Sequence, residues 1–194
     1  MSTLQPQTAP LRDSTMVQIL YLGVEGVLFE CRYASERHPR WQHQTPPTTP
    51  LPLLEAISRL VAGQRELAIV LNSRMVSDYG YRTIVNLLPD SIAALTIGAT
   101  SPGNRLHRHD AMLSRVDLLR ADIRRRCPAH LVMVDASSFA IPYEYLDVAV
   151  HVAPIQARAA AAIADQILHL LMPNARPESN GIGVPASRSS PRSV

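Results

Sequence analysis

Four polar side chains with chemical potential stand directly behind apolar runs in this chain of 194 residues. Glu25 follows Val17–Leu22 at a short distance, Asn72 and Ser73 follow Leu67–Leu71, and Asp135 follows Leu131–Val134. A carboxylate can carry a proton or hold a hard cation, and an amide or hydroxyl can donate to an anion. Each also has a plainer use: Ser73 as a helix cap, Asp135 as the cap of the next turn. No other catalytic signature competes with this set. The chain has no Gly-x-Ser-x-Gly, phosphate-loop or His-Glu-x-x-His pattern. His107 and His109 have the spacing of a metal-ligand pair but no partner residues at useful spacing, so a surface loop is the expected role. Cys31 lies too far past the first apolar run to act as a nucleophile there. Cys127, just before Pro128, reads as structural.

The elements that must position these residues follow from periodicity. Val17–Leu22, Leu67–Leu71, Ala94–Ile97, Leu131–Val134 and Val148–Val152 are apolar runs suited to buried strands. Between them Leu51–Ala62, Tyr79–Leu88 and Ala111–Arg126 read as helices, and Ile155–Leu171 as a final alanine-rich helix. In the first helix the apolar stripe is Leu54, Ile57, Leu60 and Val61. Strands alternating with helices predict an α/β fold, a Rossmann-like three-layer sandwich with a mostly parallel sheet of about five strands. Ligands of such sheets gather at the carboxyl ends of the strands. The segments to inspect are therefore 23–26, 72–75, 98–102 and 135–138.

Those strand ends carry a pattern in order along the chain. QILYLGVEGVLF resembles the opening of the haloacid dehalogenase-like (HAD) superfamily, in which a strand runs into Asp-x-Asp-Gly-Val-Leu. Here Gly26-Val27-Leu28 keeps the frame, while Gly23 and Glu25 stand where the two aspartates would be. IVLNSRMVSDYGY, LPDSIAALTIGAT and SRVDLLRADIRRRCPAHLVMVDASS resemble the second, third and fourth strand regions of a small bacterial HAD subgroup, over about residues 17–155. The resemblance implies a HAD-like domain with a minimal cap and Mg²⁺-dependent phosphoryl transfer. The first aspartate of the motif would be nucleophile and metal ligand, and the second acid/base. Gly23 has no side chain, so that nucleophile is missing. Glu25 keeps a carboxylate at the acid/base position, one methylene longer. Asp135 keeps one carboxylate of the last acidic cluster, but Ala136 and Ser137 replace its companions. Glu25 and Asp135 would be vestigial catalytic residues and weak or lost metal ligands, so no cofactor, or only weakly held Mg²⁺, is expected. Asn72, Ser73 and Arg115 would be the phosphate-binding residues. Arg115 falls where the subgroup carries its basic residue, with a solvent-facing helix arginine as the plainer alternative.

Composition narrows the class. The chain is 46% hydrophobic and 18% charged, enough apolar content for one domain with a core. All 19 of its Lys+Arg positions are arginine, against 16 acids. The pI is near 9.2. Residues 17–172 hold 15 arginines and 14 acids, so the expected domain is nearly neutral and only 173–194 is basic. Eleven of the 16 prolines fall in 1–16, 39–52 and 173–194. Residues 1–16 and 173–194 are expected to be disordered tails around a domain at 17–172, with 29–50 as a flap or loop insertion. No apolar run reaches the roughly 18 residues of a membrane span. The first residues lack a secretory pattern, and two cysteines make no disulfide framework. A cytoplasmic protein without membrane contact is expected.

Three functions compete on these grounds. The first is a HAD-like pseudoenzyme, a binding or regulatory protein that holds an unknown protein or a phosphorylated small ligand through the remnant cleft. The second is an active hydrolase of the family with Glu25 and Asp135 in altered roles. The third, weaker, is nucleic-acid binding through the arginines at 105–126, which lack interleaved aromatics. The oligomeric state is open.

Overall fold

The computed structural model describes residues 18–30, 46, 49–64, 66–101, 113–153 and 159–172. The expected tails, nearly all of the 29–50 insertion, Cys31, the 155–158 start of the expected final helix and the His107-x-His109 pair lie outside these residues. The apolar runs form five strands: β1 (Gln18–Leu22), β2 (Leu67–Leu71), β3 (Thr96–Ala99), β4 (His130–Asp135) and β5 (Ala149–His151). They make one sheet in the order β3-β2-β1-β4-β5, with every pairing parallel. All five residues of β2 are buried, as expected of a strand covered on both faces.

The chain winds outward from β1 to β2 and β3, then returns across β1 to β4 and β5. The direction of winding therefore reverses between β1 and β4. In a doubly wound sheet that reversal opens a crevice above the carboxyl ends of the two strands. Glu25 and Asp135 follow and end those two strands.

Among the described residues six α-helices complete the layers: α1 (Pro52–Val61), α2 (Arg74–Tyr79), α3 (Tyr81–Val85), α4 (Asp90–Leu95), α5 (Arg115–Arg126) and α6 (Ala160–Leu171). Pro52 opens α1, where its missing N–H has no intrahelical partner to lose. The buried stripe of α1 is Leu53, Ile57 and Val61, with Leu54 and Leu60 only partly covered. Ile163, Ile167 and Leu171 form the matching stripe of α6. Both pack on the sheet face carrying Leu20, Leu22, Ile69, Leu71, Val132 and Val134. The opposite face carries Ile19, Tyr21, Ala68, Val70 and Met133, covered by Leu119 and Ile123 of α5. No helix among the described residues is long and apolar enough to cross a membrane.

Besides α5, which begins at Arg115 behind its cap Ser114 rather than at Ala111, two expected elements differ from the structure. The single helix expected over Tyr79–Leu88 is broken at Gly80, whose φ of 90° is closed to most side chains, so α2 and α3 are separate short helices. The strand expected at Ala94–Ile97 begins only at Thr96, because Pro89 starts a new helix that runs to Leu95. Both errors come from reading apolar content without its local punctuation.

The α5 face holds a buried polar cluster. Asp122 points inward and receives Arg126 Nε at 2.7 Å and an Nη of Arg125. Arg126 in turn lies over Gly98 of β3, so close that a Cβ at Gly98 would stand 2.8 Å from its Nη2. Burial, reinforced by the Asp122 carboxylate, raises the hydroxyl pKa of Tyr21. Asp122→Ala would leave Arg126, itself only partly exposed, without its partner. The expected cost is about 1–3 kcal/mol, read as a lower thermal midpoint. An unchanged midpoint would mean that the cluster adds nothing to the docking of α5.

Candidate functional site

Parallel pairing carries the candidate residues to one place. Beyond the strands the ladder continues: Gly23 N–H donates to Val134 O at 2.8 Å, Asn72 N–H to Leu22 O at 2.9 Å and Thr100 N–H to Leu71 O at 2.9 Å. These bonds hold the ends of β1, β2, β3 and β4 side by side. After β1 the chain makes a tight turn in which Leu28 and Phe29 N–H both donate to Val24 O. Val24, Val27 and Leu28 are buried in that turn, which fixes where Glu25 points.

Glu25 is buried and fully engaged. One carboxylate oxygen accepts from the Ser73 hydroxyl; the other accepts from Arg74 N–H at 3.0 Å and faces Arg115 Nη1 at 3.3 Å. Ser73 also caps α2, since its Oγ accepts from Met75 N–H at 3.1 Å. Its capping use and its site contact are therefore made by the same hydroxyl. Asn72 donates from its amide to Asp135 Oδ2 at 3.4 Å and accepts from the Thr100 hydroxyl at 3.0 Å.

Asp135 is the centre of the network. Oδ2 receives Arg115 Nη2 at 2.6 Å, and Oδ1 receives Ser137 N–H at 2.9 Å. Burial outweighs these stabilising partners and, with Glu25 adding repulsion, pushes the carboxyl up to about 6. Arg115 lies in the first turn of α5, whose start is set by Ser114 accepting from Asp117 N–H. Its Nη2 also donates to the carbonyl of Asn72.

Thus Glu25, Asn72, Ser73, Arg115 and Asp135 are brought together at the switch point of the sheet. Thr100, buried at the end of β3, belongs to the same network and was not among the expected site residues. Its place in the 98–102 strand-end segment was the available signal. The donors assigned to phosphate are committed to protein acceptors. Ser73 and Arg115 serve the two carboxylates, and Asn72 serves Asp135. With both carboxylates ionised and one guanidinium between them, the cleft carries a formal −1. An anion entering it would have to draw Arg115 away from both partners.

Gly23 stands at the floor of this network for a steric reason. Its backbone is not in the left-handed region, so conformational freedom does not demand glycine. A Cβ at this position would lie 2.9 Å from Asp135 Oδ2 and 3.2 Å from Val134 O. The Asp135 carboxylate thus occupies the volume that a side chain at position 23 would enter. Gly26 is held more tightly still. It has φ of 75°, and a Cβ there would stand 2.7 Å from that of Ala136. Small residues at 23, 26 and 136 let the two strand-end loops close on each other.

The Mg²⁺ that the family resemblance implies, expected to be weakly held or absent, has a poor fit here. No group of three or more His, Cys, Asp or Glu among the described residues could hold a metal ion. The two carboxylates that remain are both engaged by Arg115. Within the described part of the arginine-rich stretch, most arginines of α5 have acidic partners. Arg115 pairs with Glu25 and Asp135, Arg120 with Glu144 and Asp117, and Arg125 and Arg126 with Asp122. Arg124 is exposed and Asp122 offsets only one of Arg125 and Arg126, so the positive excess of α5 is confined to its last turn. Comparison of the chain with protein-family models, with curated proteins and with solved structures gives no match.

Proposed function

We propose that this chain is a HAD-like pseudoenzyme, a binding or regulatory domain in which the phosphoryl-transfer site survives as a frame without its nucleophile. The observation that carries this reading is the crowding at position 23. Phosphoryl transfer of this class needs a carboxylate oxygen there to attack phosphorus and become the acyl-phosphate. Gly23 offers none, and the Asp135 carboxylate fills the adjacent space. Glu25 is no substitute, since both its oxygens are bound by Ser73, Arg74 and Arg115. The order of the strand-end motifs and the parallel five-stranded sheet support the family likeness.

Support for a binding role comes from what is intact and what is exposed. The switch-point network is buried and links Glu25, Asn72, Ser73, Thr100, Arg115 and Asp135. Beside it, on the β4–β5 connection, Phe139 and Tyr143 are 91% and 80% exposed. Apolar side chains so exposed are the kind of surface through which proteins meet other proteins. A protein partner also avoids the electrostatic cost that a phosphorylated ligand would meet in the cleft.

The reading is tested by assaying the full chain with a generic aryl phosphate ester and Mg²⁺. Hydrolysis no faster than buffer is expected. Mg²⁺-dependent turnover that disappears in Asp135→Ala would instead establish an active hydrolase with Glu25 and Asp135 in altered roles.

A further inference from the structure

The misfit between this cleft and a divalent cation has a specific shape. Three oxygens from the ends of three strands converge on one group: Glu25 Oε1, Asp135 Oδ2 and the carbonyl of Asn72 all face the terminal nitrogens of Arg115. Two carboxylates and a carbonyl are the donor set of a hard cation. What they surround is a guanidinium carried on α5. Its Nε is buried and has no hydrogen-bond partner among the described residues, so the two terminal nitrogens alone make its contacts with these oxygens. A guanidinium placed for hydrogen bonding alone would not leave a buried donor unmet.

We propose that Arg115 is the resident cation of this cage, a tethered replacement for a bound ion. While it is in place, it excludes divalent cations and holds the ends of β1, β2 and β4 together. This rests on the pseudoenzyme reading only in treating the cage as the remnant of a cation site. Neutralising two buried carboxylates is the energetic reason for the arrangement, because buried charges without a partner are strongly destabilising. The compact size of residues 23, 26 and 136 lets the loops close around the guanidinium.

The test uses thermal unfolding of the full chain, freed of metal, with and without low-millimolar MgCl₂ or guanidinium chloride. The natural sequence should show a midpoint unaffected by Mg²⁺. Arg115→Ala should unfold about 10 °C lower and recover part of that loss with either added cation. Should that variant fail to fold, combining it with Glu25→Gln and Asp135→Asn removes the charges in need of a partner and should restore folding. Three results would overturn the proposal: Arg115→Ala unfolding at the natural midpoint, the natural chain being stabilised by Mg²⁺, or a loss relieved by neither cation nor the triple substitution. Phosphatase activity in the natural chain would remove the pseudoenzyme reading and leave this test standing. An unperturbed Arg115→Ala would remove the resident cation and leave the pseudoenzyme reading untouched.

Discussion

Gly23→Asp should lower the thermal midpoint by roughly 6–12 °C and confer no phosphatase activity, although it restores the residue type that the motif lacks. The first contribution is steric. A Cβ at position 23 meets Asp135 Oδ2 at 2.9 Å and the Val134 carbonyl at 3.2 Å, and overpacking of this kind costs about 1–3 kcal/mol. The second is electrostatic. A new carboxylate would join Glu25 and Asp135 in a buried cleft with one guanidinium between them. Like charges that close cannot all ionise, so the added group would stay protonated or push Asp135 aside. The total is on the order of 3 kcal/mol or more. Gly23→Ala isolates the steric part and should lose less. A Gly23→Asp protein as stable as the natural one would show that Asp135 yields its position freely. An aspartate at position 23 therefore meets a site whose Asp135 carboxylate already fills the adjacent space.

Stability should fall as the pH rises from about 4 to about 7, and Asp135→Asn should remove most of that fall. The Asp135 carboxyl titrates near 6 in the folded chain, against an ordinary value of 3.8. Between those values the folded state binds the extra proton, so unfolding releases it and stability decreases with rising pH. The benefit is complete below the unfolded value and gone above the folded one. A shift of this size corresponds to on the order of 2–3 kcal/mol, and the side chain is too buried for solvent to screen it away. Glu144 works in the opposite sense. Its bonds to Arg120 hold its carboxyl down to about 2, so the contribution of that exposed pair is complete above about 4.5 and is lost as the pH falls towards 2. The comparison of the natural chain with Asp135→Asn cancels it. Parallel pH profiles for the two proteins would show that Asp135 does not carry the effect.

Much of the scaffold was legible in the residues. Short apolar runs alternating with helical stripes read as strands buried on both faces of a parallel sheet, and that sheet is present. The same logic places the candidate residues at strand ends. Local breaks were harder to read. Gly80 divides α2 from α3 because of its positive φ, and Pro89 begins a helix inside what looked like a strand approach. Composition over a window averages such single residues away.

The sequence by itself determined the alternation of strands and helices, the absence of a side chain at position 23 and the presence of one arginine at the head of α5. The tertiary structure decided what those residues mean together. Nothing in the spacing of Glu25, Asn72, Arg115 and Asp135 says that a guanidinium will reach two carboxylates and a carbonyl at once. Nor does it say that the carboxylate of Asp135 will lie where a side chain of residue 23 would go. Periodicity and propensity act over a few residues and survive in the linear text. The closing of a charge network depends on the order and register of strands far apart in the chain, which only the folded sheet supplies.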